Sequence, residues 1–107
     1  MTIKELVEAS YLGAKNNGWM EKVIEVPEQV ALICSEACEG LEAWRDKQPY
    51  SWVDEKGKPQ GIASEYADIL IRVAHYSKLL GIDLESEILR KLEYNKTRGY
   101  RHGGKLV

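Results

Sequence analysis

Between Pro27 and Asp46 apolar residues recur at helical spacing on two faces at once, and nothing else in the chain constrains the fold as much. Val30, Ile33, Ala37, Leu41 and Trp44 form one apolar stripe, the pattern of a helix that turns one side to a core. The opposite face carries Leu32, Glu36, Glu39 and Ala43, so two carboxylates stand among apolar neighbours. A helix that is apolar on both sides is expected to be enclosed, which sets Glu36 and Glu39 apart from ordinary solvated acids. Pro27 suits the first turn, where its missing N–H costs nothing.

The rest of the chain extends the helical pattern. Thr2 and Glu5 have the spacing of a capping box, and Ile3, Leu6, Val7, Ser10 and Ala14 follow at helical intervals up to a stop at Asn17-Gly18. A connector over Trp19–Val26 leads into the second helix. From Lys47 to Gly61 the pattern breaks into a loop with room for a short hairpin, of a length often used for lids or binding segments. A third helix is expected from Ile62 to Leu80-Gly81, with Ile62, Tyr66, Ile69, Val73, Tyr76 and Leu80 on one stripe and Glu65, Asp68, Arg72 and His75 on the next. Asp83 caps a fourth that runs to about Arg98-Gly99, before a glycine-rich tail. There is no Phe, and Glu, Lys, Leu and Ala favour helix, so the expected class is all-α, a bundle of four helices in one domain over 1–107.

Size and charge bound the function. With 107 residues, 30% of them charged, and a net charge of −2, the chain is neither a basic nucleic-acid binder nor a disordered acidic segment. No apolar run approaches a membrane span, and Met1-Thr2-Ile3-Lys4-Glu5 lacks the build of a signal peptide. The expected setting is cytoplasmic, without membrane or nucleic-acid partners. Cys34 and Cys38 then read as small, reduced core residues. Four short helices leave much Trp, Tyr and Leu to cover, which predicts a homo-oligomer joined mainly through the second and third helices.

Two acidic pairs sit on those same helices: Glu36-Ala37-Cys38-Glu39 and Glu65-Tyr66-Ala67-Asp68. A spacing of three places both acids of a pair on one face. If the helices pack antiparallel, the pairs meet in a four-carboxylate cluster. Each like-charge pair at 4 Å costs roughly 1 kcal/mol in water and about 4 in a partly buried site. A divalent cation resolves that conflict, and all-oxygen ligands select Mg²⁺ or Mn²⁺. The plainer alternative is a pair of solvated helix faces. A di-iron bundle would need Glu-x-x-His on two helices, but Arg72 and Gly99 stand three residues before His75 and His102.

Charge is partitioned as well. Residues 25–46 hold six acids against Arg45 alone, and residues 90–107 hold six bases against Glu93 alone. On the fourth helix the inward stripe begins with Leu84 and Ile88 and continues as Lys91, Asn95 and Arg98. A basic helix end interacts favourably with the helix dipole. Beside an acidic metal site, inward cations also suit a phosphate-bearing ligand.

Four segments in order, Ser35–Arg45, Gly61–Arg72, Lys91–Arg98 and His102–Lys105, together with Ala14–Trp19, resemble the MazG-like all-α nucleoside triphosphate pyrophosphohydrolases over nearly the whole chain. The resemblance implies a helical bundle assembled as a dimer or tetramer. It also implies Mg²⁺-dependent cleavage of a nucleoside triphosphate between its α- and β-phosphates, giving a monophosphate and pyrophosphate. Glu36, Glu39, Glu65 and Asp68 match the family's metal-binding acids, with Glu36 or Glu39 expected to orient or deprotonate the attacking water. Lys91, Asn95 and Arg98 match its phosphate- or sugar-binding segment. Lys105 is expected to help neutralise the leaving pyrophosphate, and Trp19 or Trp52 to stack on the base. Two departures stand out: Ser35 precedes Glu36 where an acid is common, and His75 occupies a position often held by an acid. Other readings are a catalytically silent helical module and a phosphoribosyl-ATP pyrophosphohydrolase-type enzyme.

Overall fold

In the computed structural model, which describes residues 1–106, the chain is all-α apart from one small hairpin. The elements are α1 (Ile3–Asn16), α2 (Val26–Arg45), β1 (Trp52–Val53), β2 (Pro59–Gln60), α3 (Ile62–Leu79), α4 (Leu84–Thr97) and a short α5 (Arg101–Gly104) within the expected glycine-rich tail. The capping box forms: Thr2 N–H donates to Glu5 Oε1 at 3.0 Å, and Glu5 N–H donates to Thr2 Oγ1 at 3.1 Å. Asp83 caps α4 by accepting from Ser86 N–H at 3.1 Å. No helix among the described residues is long and apolar enough to cross a membrane.

α3 is the centre of the molecule, with α2 packed along one side and α1 along the other. α2 and α3 run antiparallel, since Glu36 meets Arg72 while Gly40 lies beside Ile62 and Glu65. The turn Ala74–Ser77 of α3 is buried on every side. α4 packs chiefly on α1 and buries none of its residues. Within one chain, the expected four-helix bundle is therefore a three-helix unit with α4 appended.

The orientation of α2 reverses what its apolar stripe suggests. It turns Gln29, Glu36, Gly40 and Ala43 inward. Val30, Ala37, Leu41 and Trp44 face outward, Trp44 with 61% of its surface exposed. Cys34 and Cys38 share that outer surface, so they are not core residues. The reason is steric and electrostatic. At Gly40 a Cβ would lie only 3.5 Å from Glu65 Cβ and Ile62 Cγ1, so the small-residue face allows close approach to α3. The same rotation brings the Glu36 carboxylate to the one guanidinium that neutralises it.

The consequence is a small core and a large surface. Among the described residues, Ala43, Ala74 and Tyr76 are the buried apolar ones, and none of the large side chains is fully enclosed. The radius of gyration is 16.3 Å, against about 13 Å for a compact chain of this length. The accessible surface is 8348 Å², against roughly 6100 Å² expected from the mass.

The 47–61 segment forms the expected short hairpin, and its turn is internally tied. Asp54 Oδ1 accepts the Lys56 and Lys58 N–H groups at 2.9 Å each, and Oδ2 accepts Gln60 Nε2 at 3.0 Å. Trp52 is tied to Gln48 Oε1 at 3.0 Å. Gly61 closes the loop onto α3 with φ at 93°, and a Cβ there would lie 2.5 Å from the Tyr50 carbonyl oxygen. Gly61→Ala is expected to lower stability by about 2 kcal/mol or more in urea unfolding. Gly40→Ala, whose new methyl meets ordinary contact distances, is expected to be neutral or stabilising by up to about 1 kcal/mol.

Candidate metal centre and adjoining cleft

Glu36 is only 7% exposed, although it lies mid-helix among small and apolar residues. Its Oε1 accepts Arg72 Nε at 2.8 Å, and Arg72 Nη1 donates onward to the Tyr76 hydroxyl at 2.9 Å. Arg72 and Tyr76 are spaced i, i+4 on α3, so one helix face supplies both links. This chain fixes the Glu36 carboxylate at the α2–α3 seam.

Glu65 and Asp68 come to the same seam from the start of α3. One oxygen each from Glu36, Glu65 and Asp68 lies within 4.8 Å of the others. Ligand oxygens about 2.1 Å from one Mg²⁺ lie about 3–4 Å apart, so a small contraction of these side chains completes a shared site. Glu65 Oε2 is buried and without a hydrogen-bond partner. All-oxygen donors with one stranded lone pair fit a hard divalent cation, held by Glu36, Glu65 and Asp68.

The protonation pattern reflects the same crowding. Burial, the hydrogen bond shared with Glu36 and the charge of Glu39 push Glu65 up to about 7. Burial and the Glu36 charge raise Asp68. Burial also acts to raise Glu36, but hydrogen bonds from Arg72 and its acidic neighbours outweigh it and hold Glu36 below the usual carboxylate range. The cluster without metal thus has one ionised member paired with Arg72 and one that retains a proton near neutrality. A divalent cation held by Glu36, Glu65 and Asp68 would displace that proton.

Glu36 and Asp68 close one end of a cleft of ≈ 1000 Å³ between the three packed helices and the α1–α2 connector. Its walls include Leu6, Ala9, Ala14, Ile24, Leu32 and Ile71, and Trp19 lines it while remaining 67% exposed. Arg72 and Lys22 are the Arg and Lys residues that line it. His75 also lines it, with a buried Nε2 that has no hydrogen-bond partner. A buried polar atom in that condition typically costs about 1–3 kcal/mol.

The expected site residues are thus only partly brought together. Glu36, Glu65 and Asp68 converge, and Glu36 and Asp68 share the cleft with Trp19, whereas Glu65 does not line it. Glu39 is exposed and lies outside the close trio, beside Glu65 in a shallow depression with Cys38 and Glu42. Lys91, Asn95 and Arg98 do not line the cleft. Lys91 and Arg98 lie over the Tyr94 ring, each 5.6 Å from its centre, and Asn95 Oδ1 is buried and unpaired. Lys105 is exposed. Trp52 belongs to the hairpin and is absent from the cleft lining. Sequence reasoning placed Arg72 and His75 on the right stripe but gave Arg72 no partner; its position four residues after Asp68 was the available signal. No protein-family model, curated protein or solved structure matches this chain.

The raised Glu65 carboxyl has a sign that can be measured. Between the ordinary value of 4.5 and about 7 the folded state holds a proton that the unfolded chain has released. This contribution to stability is full below the lower value and is lost as pH rises through the upper one. His75 acts oppositely, because burial and Arg72 lower it, so stability is lost as pH falls below the usual 6.5. In chelator, wild type should therefore lose stability relative to Glu65→Gln as pH rises from about 5 to 8. Comparing the two proteins cancels the His75 contribution. A difference in melting temperature that stays flat across this series would refute the assignment.

Proposed function

We propose that this chain is a Mg²⁺- or Mn²⁺-dependent nucleoside triphosphate pyrophosphohydrolase of the MazG-like kind. The observation that carries the reading is the convergence of Glu36, Glu65 and Asp68 from two antiparallel helices, with Glu36 and Asp68 also lining a mostly apolar cleft of nucleotide size. Phosphate groups belong at the acidic end, where a cation offsets their charge, and the base belongs against the apolar walls and Trp19.

A bound divalent cation supplies Lewis-acid polarisation of a phosphate oxygen and a more acidic water. The chain supplies the rest. Glu36, held by Arg72, presents a carboxylate of fixed orientation. Glu39, exposed beside Glu65, is free to accept the proton of an attacking water. The Arg and Lys that line the cleft already face acids, Arg72 at 2.8 Å from Glu36 and Lys22 at 3.8 Å from Glu28, so offsetting the charge of the leaving pyrophosphate falls mainly to the cation and to Lys22 released from its looser pair. A role for Lys91, Asn95, Arg98 and Lys105 on phosphate requires α4 and the tail to approach the cleft, from the same chain or another.

We further propose that the working form is a homodimer or a larger assembly of such pairs. About 2200 Å² of surface beyond that expected for the mass is more than one partner contributes to a standard interface and matches an obligate one. The outward stripe of α2, with exposed Tyr66 and Leu70 of α3, offers apolar surface to a second copy.

Incubation with a panel of NTPs and dNTPs plus Mg²⁺ should yield monophosphate and pyrophosphate in equal amounts, and Glu36→Gln should lower kcat/KM roughly 100-fold or more. Release of orthophosphate, or no cleavage of any nucleotide, would overturn the reaction proposed. Light scattering should give at least twice the 12.2 kDa chain mass, and Leu41→Glu should shift it toward the monomer. A monomeric mass for the unmodified protein at micromolar concentration would refute the assembly.

A further inference from the structure

His75 and Ser10 are polar residues set into the apolar wall of the cleft, and each is only 7% exposed. They come from the two helices that pack against each other there, Ser10 from α1 and His75 from α3. The neighbouring buried polar groups are used: the Tyr76 hydroxyl accepts from Arg72, and the Gln29 amide donates to the Ile24 carbonyl. His75 Nε2 is buried with no partner. Nε2 has almost no accessible surface, so the ring must turn slightly before this unused hydrogen-bonding capacity can meet a ligand in the cleft that His75 lines.

Position supplies the second argument. From Asp68 to His75 the axis of α3 advances roughly 10 Å, comparable to the reach from the α-phosphate of a nucleotide to the far edge of its base. Trp19 lines the same cleft and offers an aromatic face for stacking. Burial and the Arg72 charge hold His75 below the usual imidazole range, so at neutral pH it presents one N–H donor and one lone pair.

We infer that His75, supported by Ser10, reads the hydrogen-bonding edge of a nucleobase held in this cleft and sets the base preference of the site. A base with a complementary group at that edge satisfies Nε2 once the ring turns toward the cleft, whereas a base without one leaves it stranded. A polar site discriminates more sharply in this way than an apolar wall of the same shape. The inference rests on the nucleotide reading of the cleft but not on hydrolysis.

The test is therefore a binding experiment on the full chain in chelator, with AMP, GMP, CMP, UMP and dTMP titrated by calorimetry and followed by Trp fluorescence. Wild type is expected to show affinities that differ by about tenfold or more between bases. His75→Ala should narrow that spread severalfold by weakening the preferred base alone. His75→Gln, which keeps a donor and an acceptor, should retain part of the spread, and Ser10→Ala should reduce it less than His75→Ala. Melting temperatures identify any variant that fails to fold, and His75→Gln and Ser10→Ala then carry the comparison. An unchanged spread in folded His75 variants overturns the inference, as does equal or undetectable binding of all five nucleotides to wild type. Base-selective binding without triphosphate cleavage would sink the catalytic proposal and leave this one standing. Cleavage with a base preference indifferent to His75 would do the reverse.

Discussion

The Glu36–Arg72–Tyr76 chain is the interaction on which the remaining geometry depends. A carboxylate that is 7% exposed is tolerable only beside a fixed cation, and Arg72 Nε provides one at 2.8 Å. Tyr76, itself 4% exposed, holds the other arm of the guanidinium. Together they set the rotation of α2 and its register on α3. They also set the charge order in the acidic cluster, where the member paired with Arg72 stays ionised and Glu65 takes the proton. Gly40 is the steric counterpart, because a small residue there lets α2 approach α3 closely beside Ile62 and Glu65.

That rotation explains why α2 places small and charged residues inside and large apolar ones outside. Hydrophobicity alone favours the opposite choice, with Leu41 and Trp44 against α3. The ion pair and close backbone approach override it within the chain, leaving a surface that only further burial can satisfy. Site formation and an incomplete core therefore have one cause.

Much of this was legible in the sequence. Helix limits, the capping box and the Asp83 cap follow from local chemistry and spacing, whereas the meeting of the acidic pairs was only conditional on antiparallel packing, and three of the four acids come together. The side of α2 that faces inward was not legible, because a hydrophobic stripe does not weigh its own burial against an ion pair and a close backbone approach on the opposite face. Cys34 and Cys38 were misplaced for the same reason. The convergence of Glu36, Glu65 and Asp68 came through because i, i+3 spacing fixes a face, whereas the exposure of Glu39 depends on a rotation of α2 that spacing does not determine. The 47–61 segment has the length of a lid, but the Asp54 side chain ties its turn by accepting from Lys56, Lys58 and Gln60. The basic stripe of α4 has the right spacing, but its packing on α1 leaves it outside the cleft.

α4 gives the architecture a thermodynamic seam. It is held by its Asp83 cap and by local pairs such as Arg90 with Glu87 and Lys96 with Glu93, and it buries no residue. At 14 residues it is near the length at which an isolated helix is marginal in water. Its amides should therefore exchange with solvent through openings that leave α1, α2 and α3 intact, as a cooperative unit of low local stability. The chain thus divides into a seam-locked body and a segment close to its own helix–coil balance, which a modest change in ionic strength or a small binding energy is enough to tip.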